Sequence, residues 1–244
     1  MNIQNPPGGV ISIEAQKAAF DNGYRIEEGI KDGWLHYRSS TVPGDIAIAS
    51  SSDQGPWHLR ISQNSAIAEL KTSTFSFNNL AELYSTLDKV YRLSASLPDV
   101  PLQKFQEEKA KLPQTTEAER LVVQRVGQNL FRDALIKYWD GRCPLTGITD
   151  TPLLRASHIV SWAECESDAQ RLDVHNGLLL SALWDAAFDK GLVSFGDDGT
   201  VLTSPNLSVE AKKALQIEGI ALLLGLTELH HKNLAIHRKK YGFK

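Results

Sequence analysis

His158, Asn176 and Asp185 are the residues whose types and spacing could do chemistry together. His158 lies in Ala-Ser-His-Ile-Val, an apolar run that predicts a short strand, and Asn176 opens Asn-Gly-Leu-Leu-Leu-Ser, which predicts a turn and a second strand. Asp185 lies in Leu-Trp-Asp-Ala-Ala-Phe-Asp-Lys-Gly, which predicts a short helix that ends at Gly191. A neutral imidazole can accept a proton near neutral pH, and a carboxylate can hold a hard metal ion.

The order strand, strand, helix, carrying His, Asn and Asp in turn, is the order of a ββα-metal nuclease site. The stretch from about Arg120 to Pro205 resembles the HNH endonuclease family, in the subgroup with a Ser-His-Ile strand, an Asn-Gly-Leu turn and an Asp-x-x-Phe-Asp helix. The resemblance implies metal-dependent hydrolysis of DNA phosphodiester bonds. It makes His158 the general base, and it makes Asn176 the residue that holds the loop of His158 by side-chain to backbone hydrogen bonds.

The resemblance makes Asp185, nine residues after Asn176, a metal ligand. Asp189 follows four residues later on the same helical face, where it could be a second ligand or could cap the helix or form an ion pair. Two carboxylates so spaced suit one Mg²⁺ or Mn²⁺ ion. Such an ion would neutralise charge on the phosphate and stabilise the departing 3′ oxygen.

Ser157 departs from the wider family, in which Asp or His often precedes the general base as a second metal ligand. A serine hydroxyl is a poor ligand, so we place Ser157 at the metal but expect another group to complete the shell. The candidates are Asp189, Asp173, His175 and water.

The chain has two cysteines, Cys143 and Cys165, so a structural zinc held by two Cys-x-x-Cys pairs is not expected. A Cys₂His₂ site made of these two with His158 and His175 is formally possible, although the spacing matches no compact zinc motif. Two cysteines make no disulfide framework, and a reducing cytoplasm is the simpler interpretation.

A formal net charge of −3 argues against a general nucleic-acid binder, but the charge is unevenly distributed. Residues 115–205 hold 8 basic and 13 acidic side chains, whereas residues 206–244 hold 7 basic and 3 acidic. We therefore expect DNA phosphate contacts from the tail and from two arginines near the site: Lys232, Arg238, Lys239, Lys240, Arg155 and Arg171. A solvated terminal helix and local ion pairs would explain the same residues, and the pair His237-Arg238 has no evident role.

The patterns elsewhere predict an α+β protein. Helices are expected over residues 13–22 and 79–96, from a Thr116/Glu119 capping box to Trp139, and over about 226–241. Strands are expected from Trp34, Asp45 and Trp57. We predict an α+β domain at 1–97 that could choose the DNA target, a linker at 98–114 bracketed by prolines, an HNH nuclease domain at 115–205, and a basic helical tail at 206–244 that packs on it.

A restriction-type defence nuclease is the preferred interpretation, with dependence on base modification left open. Trp34, Tyr37 and Trp57 could stack on a flipped base, although aromatic residues on strands are more often core. The alternatives are a DNA-binding or regulatory protein with a decayed HNH unit, and a nuclease that acts on RNA. No secretion signal or membrane-length apolar run is visible, so we expect DNA as partner, no membrane and a cytoplasmic location, with homodimer formation left open.

Overall fold

The computed structural model describes residues 2–97, 99–112 and 116–243. The chain divides into two compact units, residues 1–97 and 98–244. Helices and antiparallel strands occur in both, which confirms the predicted α+β class. None of the helices in the described ranges is long and apolar enough to cross a membrane.

The first unit is a five-stranded antiparallel sheet with helices packed on it. Its strands, in sheet order, are β1 (Ile26–Lys31), β2 (Trp34–Arg38), β3 (Asp45–Ser50), β4 (Trp57–Ile61) and β5 (Thr74–Phe77). Its helices are α1 (Gly9–Asp21), α2 (Asn64–Leu70) and α3 (Leu80–Ser96). The cross-strand row Leu35, Ile48 and Leu59 is buried, so the alternating apolar residues of the strands form the core.

The predicted strands and the two predicted helices of this unit are present, whereas β1, β5 and α2 were not predicted. The strand aromatics are core residues, as is usual for aromatic side chains on strands, and are not placed to stack on a flipped base. Trp34, Tyr37 and Trp57 are only 3%, 2% and 1% exposed, because they pack inside the unit. The guanidinium of Arg60 also covers the Trp34 ring, 4.0 Å from its centroid.

The second unit is mainly helical, with two small antiparallel sheets, β6–β7 and β8–β9. Its helices are α4 (Asp99–Lys111), α5 (Glu117–Tyr138), α6 (Asp168–Leu172), α7 (Ala182–Asp189), α8 (Val209–Ala214) and α9 (Glu228–Tyr241). Its strands are β6 (Leu154–His158), β7 (Gly177–Ser181), β8 (Val193–Phe195) and β9 (Val201–Thr203). The strand-strand-helix order expected from the sequence is therefore β6, β7 and α7.

The predicted linker at 98–114 is wrong for most of its length, because residues 99–111 form α4, which packs against α5 and α6. Pro101 lies in the first turn of α4, where the backbone N–H has no partner within the helix and proline is tolerated. Phe105 is 2% exposed and anchors the helix. The ends of the predicted linker, at 98 and at 113–114, lie outside the described residues.

Helix α5 supports the β6–β7 pair from behind. It begins with the predicted capping box, in which Thr116 and Glu119 satisfy each other's backbone N–H groups. At the start of β7, a Cβ on Gly177 would lie 2.5 Å from Cζ of Phe131 and 2.8 Å from Cδ1 of Leu135. The glycine therefore lets β7 approach α5 more closely than any other residue would.

The basic tail ends in α9, which packs on β8 and on Phe188 of α7 in the same unit through His237 and Arg238. The His237 ring stacks on Phe188 at 4.0 Å, and its Nδ1 lies 3.0 Å from Oγ of Ser194. Arg238 donates from Nη1 to the carbonyl of Phe195 at 2.7 Å. The His-Arg pair without an evident role in the sequence thus joins the last helix to the unit.

Candidate active site

His158 is the last residue of β6, and its environment selects one tautomer. Its Nε2 lies 2.9 Å from the backbone carbonyl of Arg171. Because a carbonyl can only accept, Nε2 carries the proton and Nδ1 keeps its lone pair. The ring stacks on Phe131 at 3.8 Å, and burial lowers the pKa of His158 to about 4 against the opposing effect of the Arg171 carbonyl. The imidazole is therefore neutral at neutral pH.

Asn176 is fully buried and ties down the segment that follows His158. Its Oδ1 accepts from the backbone N–H of Val160 at 2.8 Å, and its Nδ2 donates to the Val160 carbonyl at 3.1 Å. The same amide nitrogen lies 3.2 Å from the carbonyl of Gln170 and 3.3 Å from Sγ of Cys165. The side chain thus makes the kind of backbone contacts expected of it.

Asp185 projects from α7 towards β6, where the hydroxyl of Ser157 donates to its Oδ1 at 2.5 Å. Burial is the main cause that raises the pKa of the Asp185 carboxyl, and the charge of Asp189 adds to the rise; the Ser157 hydrogen bond opposes it. Asp189 is exposed and pairs with Lys190 at 2.9 Å. Burial of a carboxylate beside a like charge is a common property of functional sites.

One cleft of about 240 Å³ brings the predicted catalytic and metal-binding side chains together. It is lined by Ala156, Ser157, His158, Ser161, Trp162, Asp185 and Asp189. Asn176 does not line it, but bonds the backbone of Val160, which precedes Ser161 of the lining. Four of the five residues predicted for catalysis and metal binding therefore line the cleft, and the fifth supports its wall.

Residues 143–196 match the family model described as HNH endonuclease. This segment belongs to the HNH endonuclease family. It includes β6, β7 and α7 with His158, Asn176 and Asp185, and it supports a nuclease-type activity for the chain. None of the curated proteins matches the chain.

Arg171 braces residues 159–167, the loop between β6 and α6, in a way that the sequence did not reveal. Its Nε donates to the carbonyl of Trp162 at 3.1 Å and its Nη2 to that of Cys165 at 2.7 Å, while Nη1 pairs with Asp168 at 3.1 Å. Its own carbonyl accepts from His158. Such a role depends on backbone atoms brought together by folding, so no residue pattern could have shown it.

The cleft contains oxygen ligands for a metal ion, but too few to complete its coordination shell. Within the described ranges, no group of three or more His, Cys, Asp or Glu is arranged to hold a metal ion. Asp185 and Asp189 nevertheless fit Mg²⁺, which is held by one or two carboxylates and takes its remaining ligands from substrate phosphate and water. Asp173 and His175, suggested as further ligands, are outside the cleft, with His175 Nδ1 2.8 Å from Asp173 Oδ1.

Within the described part of the chain, the four residues of the Cys₂His₂ zinc alternative are not grouped into a metal site. Cys143 and Cys165 are buried free thiols, and Cys165 is bonded to Asn176 and to the Val160 carbonyl. The two histidines of that alternative contact other groups, the Arg171 carbonyl and Asp173. Apolar packing and this hydrogen-bonded loop hold the HNH segment together.

The predicted DNA-binding cations differ in how firmly the protein holds them. Arg155 donates to the carbonyls of Pro152 and Leu154, and Lys240 pairs with Glu164 at 2.8 Å. Arg238 pairs with Asp197 as well as with Phe195, whereas Lys232 and Lys239 are exposed. Their contact with DNA stays a prediction.

Proposed function

We propose that the chain is a divalent-metal-dependent HNH endonuclease that hydrolyses DNA phosphodiester bonds. The observation that carries the proposal is the placement of a neutral His158, with Nδ1 as its basic nitrogen, in the same cleft as Asp185. A general base and a metal-binding carboxylate at one cleft are what phosphodiester hydrolysis needs.

In the proposed reaction, Nδ1 of His158 accepts a proton from the water that attacks phosphorus. The Arg171 carbonyl keeps the ring oriented while the imidazole becomes charged, because its bond to Nε2–H persists in both protonation states. A pKa of about 4 describes the ring without substrate. A bound phosphodiester brings negative charge close to it, which raises the pKa towards the range where proton transfer is efficient.

Asp185 and Asp189 would hold the cation. When bound, a divalent ion neutralises charge on the scissile phosphate and on the leaving 3′ oxygen. The raised pKa of Asp185 fits this role, because a half-buried carboxylate beside another acid is stabilised by a nearby cation.

Cleavage of plasmid DNA with Mg²⁺, Mn²⁺ or EDTA, by wild type beside His158→Ala, tests the proposal. Metal-dependent cutting that the variant loses supports it. Absence of cutting by wild type with either metal would reject it. Undiminished cutting by the variant would remove His158 as the base.

A restriction-type defence role is the biological context that we favour, which would place the protein in the cytoplasm. Residues 1–97 would then choose the target, because an HNH unit alone reads little sequence. Comparison of methylated with unmethylated plasmid tests whether that choice depends on base modification. Equal cutting of both substrates would argue against modification dependence.

The contact between Ser157 and Asp185 favours one alternative, a DNA-binding protein with a decayed HNH unit. In that case the Ser157 hydroxyl would stay hydrogen-bonded to the Asp185 carboxylate, and the cleft would bind no cation. DNA binding without cleavage across metals would support this alternative. A parallel RNA substrate would show whether the nuclease acts on RNA instead.

A further inference from the structure

A second pocket, of about 390 Å³, lies beside the HNH cleft in the same unit. Helices α4, α5 and α6 form it, and Trp162 lines both this pocket and the cleft. The two spaces are therefore neighbours that share one aromatic side chain. A DNA strand that places a phosphate in the cleft must continue past its walls, so the chemistry of the adjoining pocket matters.

The pocket is basic where the cleft is acidic. Lys109, Arg120 and Arg171 line it together with a single acid, Asp168. Asp168 contacts two of the three cations, with Oδ2 2.8 Å from Nζ of Lys109 and Oδ1 3.1 Å from Nη1 of Arg171. Arg120 is exposed. Three cations against one carboxylate leave the pocket positive, which suits a phosphate anion.

Two aromatic side chains, Phe105 and Trp162, line the pocket. Phe105 of α4 is 2% exposed, and Nζ of Lys109 lies 5.6 Å from its ring centroid. Trp162 lies directly against α5, since a Cβ on Gly127 would be 2.4 Å from its Cη2 atom. Two sides of the pocket are thus aromatic side chains packed against the helices.

We infer that this pocket binds a backbone phosphate that flanks the scissile phosphate on the same DNA strand, with Arg120 as its main ligand. The inference rests on the proposed function and adds a subsite to it. The acidic cleft does not attract a phosphate by its own charge, so the neighbouring cations supply attraction that Asp185 and Asp189 cannot. A guanidinium can also donate two parallel hydrogen bonds to one phosphate.

Salt-dependent DNA binding in EDTA tests this subsite without any cleavage. Loss of one phosphate contact in Arg120→Ala should weaken affinity roughly three- to tenfold and should reduce the slope of log K against log salt by about 1. Arg120→Lys should keep the slope, because it keeps the charge. Arg125→Ala is the matched control, since Arg125 is exposed on the same helix but does not line the pocket. It should bind as wild type does.

An unchanged slope in Arg120→Ala, or an equal loss in Arg125→Ala, would overturn the subsite. The results distinguish a failure of the subsite from a failure of the proposed nuclease function. Metal-dependent cleavage by wild type together with normal binding by Arg120→Ala would reject the subsite and leave the nuclease standing. A reduced slope in a protein that cuts no substrate with any metal would support a phosphate site in this pocket, and would reject the nuclease together with the placement beside a scissile phosphate.

Discussion

The carbonyl of Arg171 accepts the Nε2 proton of His158 at 2.9 Å, and this contact decides which ring nitrogen is basic. The guanidinium of the same arginine holds the loop that lies between His158 and Arg171 in the chain. Asn176 holds that loop from below. The orientation of the proposed general base therefore depends on the backbone carbonyl of Arg171, and on a loop held by two side chains that do not line the cleft.

Asn176→Ala should lower both stability and cleavage. The change leaves the buried N–H of Val160 without a partner, which costs about 1–3 kcal/mol, and it leaves the Val160 carbonyl with only the Cys165 thiol. Urea unfolding should show a lower free energy of unfolding, and the cleavage rate should fall because His158 is misplaced. Asn206→Ala, at an exposed asparagine, is the control and should change neither. Normal stability of Asn176→Ala would contradict the bracing role.

The sequence was most informative where chemistry is local. His158, Asn176 and Asp185 could be named because a strand, a turn and a short helix each carry one of them within a short stretch of chain. Helix α4 could not be recognised, because prolines near its start resemble those of a linker and its anchor Phe105 is buried only through α5 and α6. The contacts of Arg171 could not be foreseen because their partners are backbone carbonyls.

Acid should destabilise the second unit through its buried histidines. Burial is the main cause that lowers the pKa of both His158 and His237 from 6.5 to about 4. Between these values the unfolded chain binds protons that the folded chain does not, so stability falls as pH drops from about 6.5 towards about 4. Urea unfolding of wild type and His237→Gln at pH 7 and pH 5 measures this dependence. The variant should lose less stability between the two pH values; an equal loss would show that His237 does not contribute.

Asp185→Asn should separate metal binding from folding. The amide keeps the shape of the side chain but offers the cation no charge, so Mn²⁺ should raise the melting temperature less than it does in wild type. The cleavage rate should fall along with this Mn²⁺-induced rise in melting temperature. Asp150→Asn, at an exposed acid away from the cleft, is the control and should respond to Mn²⁺ as wild type does. An unchanged Mn²⁺ titration in Asp185→Asn would remove Asp185 from the metal site.

Arg171→Ala distinguishes positioning of the base from binding of DNA. The structure ties this guanidinium to the carbonyls of Trp162 and Cys165, so its loss should loosen the loop that follows His158 and let the Arg171 carbonyl move away from the ring. We expect kcat to fall at least tenfold, which corresponds to about 1.4 kcal/mol of the barrier, with a smaller change in KM. If the main role of Arg171 were to bind phosphate, the variant would instead have a raised KM and a nearly unchanged kcat. Arg155→Ala, at an exposed arginine of β6, is the comparison, and it should leave kcat close to that of wild type. Steady-state cleavage of a short duplex by the two variants gives both constants, and a pure KM effect in Arg171→Ala would show that its loop contacts are not needed to position His158.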